Sequence, residues 1–333
     1  MSLVKRKLAL FLGIPLSIFF LFLALRKVDF LHVRQLFIGT NYLYILPCFV
    51  IYLAEFNLRA YRWWILVSPV KKGKYINFLS ATHIGFFSNT ILPMRAGEII
   101  KVLLIGGREK ISKASMLATL IIERAMDIFA LLTMIYITSF FFSYPGNIKK
   151  IFMVTILILA GFIIIFYGLM YYRTGTLRFI NIFFKVLPEK FWHRLERALD
   201  LFIDGLEILK KTHHLMLTLT LSLSIWLSEA LLMFLIAKGM GIESIDYFGT
   251  MFVIAIIAIG ISIPSSPGYV GVFEYFGILA CSVLGIAKST ALGYILLFHA
   301  FQLVTLSAAG MFFVTREHIS ILQLEQEAEK EDQ

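Results

Sequence analysis

Apolar runs long enough to cross a lipid bilayer recur along this chain, and short basic loops separate them. The first run covers residues 8–25 and directly follows the basic triplet at residues 5–7. A transmembrane helix needs about 20 predominantly apolar residues. Charged residues make up only 16% of the chain, and 59% of the residues are hydrophobic; soluble domains are nearer to a quarter charged. The sequence therefore predicts an all-α polytopic membrane protein.

The basic residues predict the orientation. We expect about six full spans, at residues 8–25, 42–58, 115–142, 151–172, 214–237 and 291–314. The proposed cytoplasmic segments hold 21 Lys and Arg residues and the external ones hold 7. Because cytoplasmic loops carry an excess of Lys and Arg, both termini are predicted to be cytoplasmic. Arg59 and Arg62 then lie in a cytoplasmic loop, with Trp63 and Trp64 as interfacial anchors.

The charge pattern is also compatible with a signal peptide and with nucleic-acid binding, and the sequence argues against both. The first apolar run also fits a signal peptide, but it ends Ala24-Leu25-Arg26-Lys27 with no small-residue cleavage site, which favours an uncleaved span. The net charge of +10 does not indicate nucleic-acid binding, because the basic residues lie in short loops between apolar runs. Those loops instead attract anionic lipid head groups.

Two apolar regions are interrupted, and we predict a re-entrant helical hairpin in each. Residues 76–105 are too long for one span and too short for two, and residues 248–286 form the second such region. Proline and glycine interrupt a helix that crosses lipid. The predicted helix breaks are Pro93, Pro264 and Pro267. Three spans separate the regions, so the hairpins enter from opposite faces, as in the inverted repeats of transporters.

The breaks favour an anion site. A half-helix that begins after Gly97 or after Gly268 presents unpaired N–H groups and the positive end of its dipole. Arg95 adds a charge that matches a phosphate. Glu98 and Glu274 are candidates for holding a proton, a cation or a basic partner. Arg95 and Glu98 also fit a purely structural ion pair at a helix end.

Other polar residues in apolar surroundings have structural alternatives. Glu123, Arg124 and Asp127 lie on adjacent turns, where they can neutralise one another or couple ions. Glu229 lies deep in a span, which predicts pairing between helices or a functional role. The remaining candidates for hydrogen bonds between helices or to freed backbone groups are His83, Asn89, Thr90, His299 and Gln302.

The rest of the chain gives weaker signals. We predict one integral membrane domain at residues 1–315, a cytoplasmic amphipathic helix at about 188–211 and an acidic cytoplasmic tail at 316–333. Apolar stripes three and four residues apart indicate that helix. Cys48 and Cys281 are expected to be buried and free. We predict no metal site, cofactor or catalytic residue, and the absence of a Walker A sequence argues against direct use of ATP.

Three sequence elements resemble the lysylphosphatidylglycerol synthase transmembrane family, also described as a flippase-like domain. The stretch from Asn89 to Glu98, followed by Lys101, is similar to its N-x-x-x-P-x-R-x-G-E signature. The element at residues 123–127 resembles its E-R-x-x-D element, and residues 264–274 resemble its P-x-x-P-G-x-x-G-x-x-E element. The resemblance covers essentially the whole chain. It implies a bacterial or archaeal protein of the cytoplasmic membrane that moves lipids between leaflets.

The resemblance and the breaks together predict the site. The expected substrate-binding residues are Asn89, Arg95, Gly97, Glu98, Lys101, Arg124, Gly268, Gly271 and Glu274. The substrate is expected to be an anionic phospholipid or a polyprenyl-phosphate lipid, with proton coupling through Glu98 and Glu274. The chain ends at Gln333 without room for a soluble synthase domain, so aminoacyl transfer is not implied.

Two other functions remain open at this point. One is an intramembrane enzyme acting on lipid phosphates or glycosyl lipids, with Glu98 and His83 as an acid–base pair. The other is a non-transporting partner of a lipid-synthesis enzyme, which would dock on the amphipathic helix. A homo-oligomer is also compatible with the sequence.

Overall fold

Every regular element in the described part of the chain is helical, which confirms the all-α prediction. The computed structural model describes residues 3–92, 95–142, 212–263 and 265–321, with isolated positions between 154 and 175. Its α-helices are α1 Leu3–Leu25, α2 Phe30–Gly39, α3 Ile45–Val67, α4 Tyr75–Ile91, α5 Ala96–Glu109, α6 Lys113–Thr138, α7 Thr212–Gly239, α8 Tyr247–Gly260, α9 Val272–Val283 and α10 Lys288–Arg316.

Three of these helical segments are long and apolar enough to cross a membrane. They are Tyr42–Val67, His214–Gly239 and Lys288–Arg316. Large apolar side chains such as Phe22, Leu43 and Leu46 are more than half exposed on the outside of the bundle. Exposed apolar surface of this extent is expected where helices contact lipid rather than water. Helix length, composition and exposed surface thus agree on a multi-pass membrane protein.

Hydrogen bonds connect several helix ends on one side of the bundle, and we call this set of helix ends and loops the upper loop layer. The Asn41 N–H donates to the Gly239 carbonyl at 2.7 Å. Lys288 Nζ donates to the carbonyls of Leu23 at 2.8 Å and Arg26 at 2.7 Å. The Asp29 N–H, just before α2, donates to Ser289 Oγ at 2.9 Å, so α2 connects these two sets of contacts. The upper loop layer therefore joins the end of α1, the start of α3, the end of α7 and the start of α10.

A second set of contacts forms the lower loop layer. Glu109, at the end of α5, accepts hydrogen bonds from the Lys74 N–H at 3.1 Å and from Asn77 Nδ2 at 2.6 Å. Arg108 forms an ion pair with Glu317, just beyond α10. This layer joins the start of α4, the end of α5 and the end of α10. The helices α4 and α5 therefore form a hairpin that starts and ends in one layer.

The hairpin of α4 and α5 is held together by a close helix crossing. A Cβ atom on Gly97 would lie 1.9 Å from the Gly85 carbonyl oxygen, so no larger residue fits there in this arrangement. The chain reverses between α4 and α5, and Arg95, just before α5, adopts the left-handed conformation with φ +56°. The hairpin spans residues 75–109, close to the predicted 76–105.

The second interrupted region, residues 247–283, also folds back on itself. The position of Leu284 beside Gly249 brings the start of α8 next to the end of α9. The reversal lies between α8 and α9 and contains a 3₁₀ turn at Pro267–Tyr269. Gly268 and Gly271 have φ of +66° and +91° there, conformations that favour glycine. The second half-helix begins after Gly271 rather than after Gly268.

The two reversals meet inside the bundle. The Arg95 guanidinium lies 5.8 Å from the centre of the Tyr269 ring. A Cβ on Gly268 would lie 3.7 Å from the Thr90 carbonyl oxygen. The middle of α1 supports the second reversal, because Ser17 Oγ accepts a hydrogen bond from the Ser266 N–H at 2.8 Å. The two interrupted regions are therefore neighbours in space although they are distant in sequence.

One expectation about α3 is wrong. Arg59, Arg62 and Trp63 do not lie in a loop, because α3 continues to Val67 and their exposures are 4%, 0% and 0%. Acidic side chains on neighbouring helices pair with both arginines, which allows them to be buried. Without these two residues the predicted cytoplasmic segments hold 19 Lys and Arg residues instead of 21, against 7 outside, so the direction of the bias is unchanged.

Several predicted features lie outside the described residues. These are the breaks at Pro93 and Pro264, the amphipathic helix at 188–211, most of the span at 151–172 and the tail beyond residue 321.

Candidate functional site

A cavity of about 340 Å³ lies where the two reversals meet. Residues of α3, α4, α6, α7, α8 and α10 complete its wall. Much of the lining is apolar and includes Phe86, Leu131 and Ile257. The charged or titratable lining residues other than tyrosine are Arg59, Arg95, Glu98, Arg124, Asp127, Glu229 and His299. The cavity thus combines an apolar wall with a concentrated set of charges, as ligand pockets do.

Arg95 and Arg124 form the positive part of the cavity. Both pair with Glu98, Arg124 at 3.5 Å and Arg95 at 3.8 Å. The side chain of Arg124 is 27% exposed and that of Arg95 is 30% exposed. The buried Nε atom of each guanidinium has no hydrogen-bond partner among the described residues. Both arginines therefore keep an unused donor, while the exposed part of each side chain lines the cavity.

A network of ion pairs continues behind these arginines. It joins α3, α5 and α6 through the residues Arg62, Arg95, Glu98, Lys101, Glu123, Arg124 and Asp127. Arg62 contacts Asp127 at 2.5 Å and Glu123 at 3.0 Å, and its NH1 donates to Ser222 Oγ at 2.7 Å. The network holds four cations and three carboxylates, so it carries one positive charge more than its acids can neutralise.

Arg59 forms a separate cluster with the opposite imbalance. It pairs with Glu55 at 2.5 Å and with Glu229 at 3.2 Å. Gln302 Nε2 donates to the other Glu229 oxygen at 3.0 Å. The cluster joins α3, α7 and α10, so Glu229 pairs with side chains on two other helices. The guanidinium of Arg59 also lies 5.5 Å from the centre of the Trp226 ring, a favourable cation–π contact.

Glu274 and His299 form a third group beside the second reversal. His299 Nδ1 lies 2.6 Å from Glu274 Oε1, and His299 Nε2 lies 2.9 Å from the Gly268 carbonyl oxygen. The second Glu274 oxygen accepts the Gly271 N–H at 2.6 Å, which caps α9. The Phe273 ring stacks on the imidazole with 4.1 Å between ring centres. His299 lines the cavity, and Glu274 is not among the lining residues.

Several predicted site residues are engaged inside the protein. Asn89 lines the cavity, but its Oδ1 accepts the Gly97 N–H at 2.9 Å. That amide, which was expected to face an anion, already has a partner. Lys101 is 3% exposed, pairs with Glu123 at 2.8 Å and lies over the Trp63 ring. The N–H of Gly271 is taken by Glu274. The arginine side chains rather than the helix-terminal amides are thus the exposed donors.

The pairing of Glu98 with His83 that an enzyme would need is not formed. His83 stacks between Phe56 and Phe313, with ring centres 4.7 Å and 5.2 Å away. Its Nδ1 has no hydrogen-bond partner in the part of the chain that the structure describes. Glu98 instead faces the two cavity arginines. No group of three or more His, Cys, Asp or Glu side chains within the described ranges is placed to hold a metal ion.

Sequence reasoning missed part of the site. Glu55, Arg59 and Arg62 were not among the candidates, although their spacing of four and three residues puts them on one face of a helix. That spacing was the available signal, since such charges on an apolar helix are costly unless they are paired. Trp226 was missed as well; its Nε1 donates to Asp127 at 3.2 Å.

Comparison with known proteins agrees with the resemblance seen in the sequence. The family described as "Lysylphosphatidylglycerol synthase TM region" matches residues 10–310. The chain belongs to this family. It is a family of flippase-like membrane domains. A UPF0104 membrane protein of Methanocaldococcus jannaschii is 26% identical over 193 residues, which are 57% of this chain and 76% of that protein. No solved structure matches significantly.

Proposed function

We propose that this protein moves a lipid with an anionic head group between the leaflets of the cytoplasmic membrane of a bacterium or archaeon. An anionic phospholipid or a polyprenyl-phosphate lipid fits this description. One observation carries the proposal: Arg95 and Arg124 line the cavity with side chains that are 30% and 27% exposed, in a network that has one more cation than it has carboxylates. Guanidinium groups suit phosphate oxygens because they donate several hydrogen bonds in a fixed plane.

The helix arrangement supports a transport route. We place the hairpin of α4 and α5 as a re-entrant element from the cytoplasmic side and the hairpin of α8 and α9 as one from the outside. The first hairpin begins and ends in the lower loop layer, while the second connects to helix ends in the upper loop layer. In transporters with inverted repeats, broken helices of this kind meet around the substrate near the bilayer midplane.

The size of the cavity indicates that the head group enters it while the acyl chains stay in the membrane. A volume of about 340 Å³ is near the lower end for ligand pockets and suits a head group better than a whole lipid. Ile128 lines the cavity and is 49% exposed, so the cavity wall reaches the outer surface beside α6. The acyl chains then stay in the membrane while the head group crosses between the reversals.

Glu98 has a defined role in this scheme. It pairs with both cavity arginines, and its side chain is 22% exposed. A phosphate that binds Arg95 and Arg124 competes with this carboxylate. Glu98 therefore weakens the hold of the two arginines on the head group and favours its release.

The test is leaflet exchange of labelled lipids in vesicles that contain the pure protein. Arg95→Gln keeps a long polar side chain at the left-handed position but removes the charge. We expect exchange of anionic lipid to fall about tenfold or more, since a hydrogen bond to a charged group contributes ~1.5–3 kcal/mol. The matched control is Arg34→Gln, on the exposed surface of α2, which should retain the wild-type rate.

Two outcomes would overturn the two parts of the proposal separately. If no lipid in a panel of anionic, zwitterionic and polyprenyl-phosphate lipids crosses faster than in protein-free vesicles, the transport function is wrong. If lipid crosses but Arg95→Gln matches the wild type, the function stands and the site is wrong.

A further inference from the structure

The contacts of His299 require one more proton than a neutral histidine and an ionised glutamate provide. Nδ1 faces a carboxylate oxygen of Glu274 and Nε2 faces the carbonyl oxygen of Gly268. A carbonyl and an ionised carboxylate can only accept hydrogen bonds, and a neutral imidazole donates only one. The other Glu274 oxygen already accepts the Gly271 N–H. One acceptor would therefore face a nitrogen lone pair unless a proton is added.

Two arrangements satisfy both contacts. In one, a doubly protonated imidazole donates to the ionised Glu274 and to Gly268. In the other, a protonated Glu274 donates to Nδ1, and the neutral imidazole donates through Nε2 to Gly268. Both contain the same single extra proton, and both give the pair a net charge of zero. Removing that proton leaves a charge of −1 on two side chains that are about 4% and 5% exposed.

We propose that Glu274 and His299 together form a proton-binding site, and that its proton is the ion coupled to lipid movement. The coupling part rests on the proposed transport function, whereas the proton site stands on the hydrogen-bond geometry alone. His299 lines the cavity and Glu274 contacts it from behind, so the cavity gives the proton its access to the pair.

The site is placed to connect protonation with the second reversal. Gly268 has φ +66° in the 3₁₀ turn, and its carbonyl is held by His299 on α10. The same turn lies against the first hairpin near Thr90. Loss of the proton removes either this contact or the contact with Glu274. The second reversal is then free to shift relative to Arg95, which lies over Tyr269 of the same turn.

Other titratable groups on the helices packed around the pair are buried or held by contacts of their own. On α7, Glu229 is bound by Arg59 and Gln302. On α4, His83 is stacked between two phenylalanine rings. On α9 and α10, Cys281 is buried and Tyr294 donates to the Met233 carbonyl. Further charged or titratable groups on the packed elements include His32, Arg34, Tyr75, Arg95, His213, His214, Lys238, Tyr247, Tyr269, Tyr275, Lys288 and Arg316. Within the described residues, no ion pair other than Glu274–His299 involves either side chain.

The first test uses a substitution that imitates the protonated pair. Glu274→Gln keeps an acceptor for the Gly271 N–H and supplies an N–H donor for Nδ1, so the neutral imidazole can satisfy Gly268. We expect wild-type lipid exchange to change several-fold with pH, because loss of the proton breaks one of the two contacts of His299. The Glu274→Gln variant should show a flat profile. The control, Glu243→Gln, alters an exposed carboxylate and should keep the wild-type profile.

The second test reads the proton directly and needs no transport. Nitrogen NMR of protein labelled at histidine distinguishes doubly protonated from neutral rings, and infrared spectroscopy detects a protonated carboxyl group. His299→Gln assigns the histidine signal, and His318→Gln, at an exposed position, is its control. Near pH 7 we expect either a doubly protonated His299 or a carboxyl band that Glu274→Gln removes.

The possible results of these two tests distinguish the proton site from its coupling to lipid transport. A neutral His299 together with an ionised Glu274 near pH 7 would overturn the proton site. A bound proton with equal pH profiles for the wild type and Glu274→Gln would overturn the coupling. If no lipid crosses in any vesicle, the proposed function and the coupling both fail, and the spectra alone decide the proton site.

Discussion

Arg62 illustrates how single residues hold charge inside this bundle. Its side chain is 0% exposed and contacts Glu123, Asp127 and Ser222, which lie on two other helices. A buried charge is costly unless it is paired and hydrogen-bonded. The arginine and the two acids therefore support one another, and removing any one of them breaks a buried ion pair.

At this scale we predict that Arg62→Met strongly destabilises the protein. The change keeps an unbranched side chain but leaves Glu123 and Asp127 without their most enclosed partner. Breaking a buried ion pair from one side costs roughly 3–5 kcal/mol. The measurement is the thermal unfolding midpoint in detergent. Arg34→Met, on an exposed position of α2, should shift the midpoint little, and equal shifts for the two variants would contradict the prediction.

At the scale of elements, the first hairpin depends on two small residues at one crossing. Gly85 and Gly97 let α4 and α5 approach until a Cβ on Gly97 would touch the Gly85 carbonyl. The same approach lets Asn89 on α4 bind the Gly97 N–H. Close packing at this point positions Arg95, which lies two residues before Gly97, at the cavity.

We therefore predict that Gly97→Ala destabilises the hairpin, although alanine usually favours a helix by roughly 0.5–1 kcal/mol over glycine. The added carbon would lie 1.9 Å from a backbone oxygen, so the two helices must separate. Gly107→Ala is the matched control in the same helix, because nothing lies within 4 Å of its added carbon. Thermal midpoints should fall for the first variant and stay or rise for the second. A rise in both would show that the helices are not closely packed here.

At the scale of the whole molecule, the two loop layers give the hairpins opposite directions. The lower layer contains both ends of the first hairpin, and the upper layer contains the helix ends next to the second. The corrected charge count predicts that the lower layer lies on the cytoplasmic side. This arrangement allows both reversals to reach one cavity from opposite faces.

Cysteine labelling of whole cells and inverted vesicles tests that arrangement. The native Cys48 and Cys281 are buried, which favours a low background. We expect Lys72→Cys and Lys110→Cys, in exposed lower-layer loops, to react with a membrane-impermeant maleimide from the cytoplasmic side alone. Glu243→Cys, in an exposed upper-layer loop, should react from the outside. Labelling of positions 72 and 110 from opposite sides would mean that α4 and α5 are separate spans.

The amino-acid sequence by itself determined the membrane class, the helical fold and the approximate location of both reversals. These properties depend on local chemistry: apolar runs predict helices in lipid, and proline with glycine interrupts them. The motifs also identified the family, and they pointed to Arg95, Glu98 and Arg124, which line the cavity.

Only the tertiary structure decided which charges meet. Arg62 pairs with Asp127, 65 residues away, and Arg59 pairs with Glu229, 170 residues away. In the sequence, a basic residue near the end of an apolar run looks the same whether it faces the cytoplasm or a carboxylate on another helix. Helix packing makes that choice, because a charge becomes tolerable inside the bundle once a partner is brought within hydrogen-bond distance. The pairing of Glu274 with His299 is decided by packing in the same way.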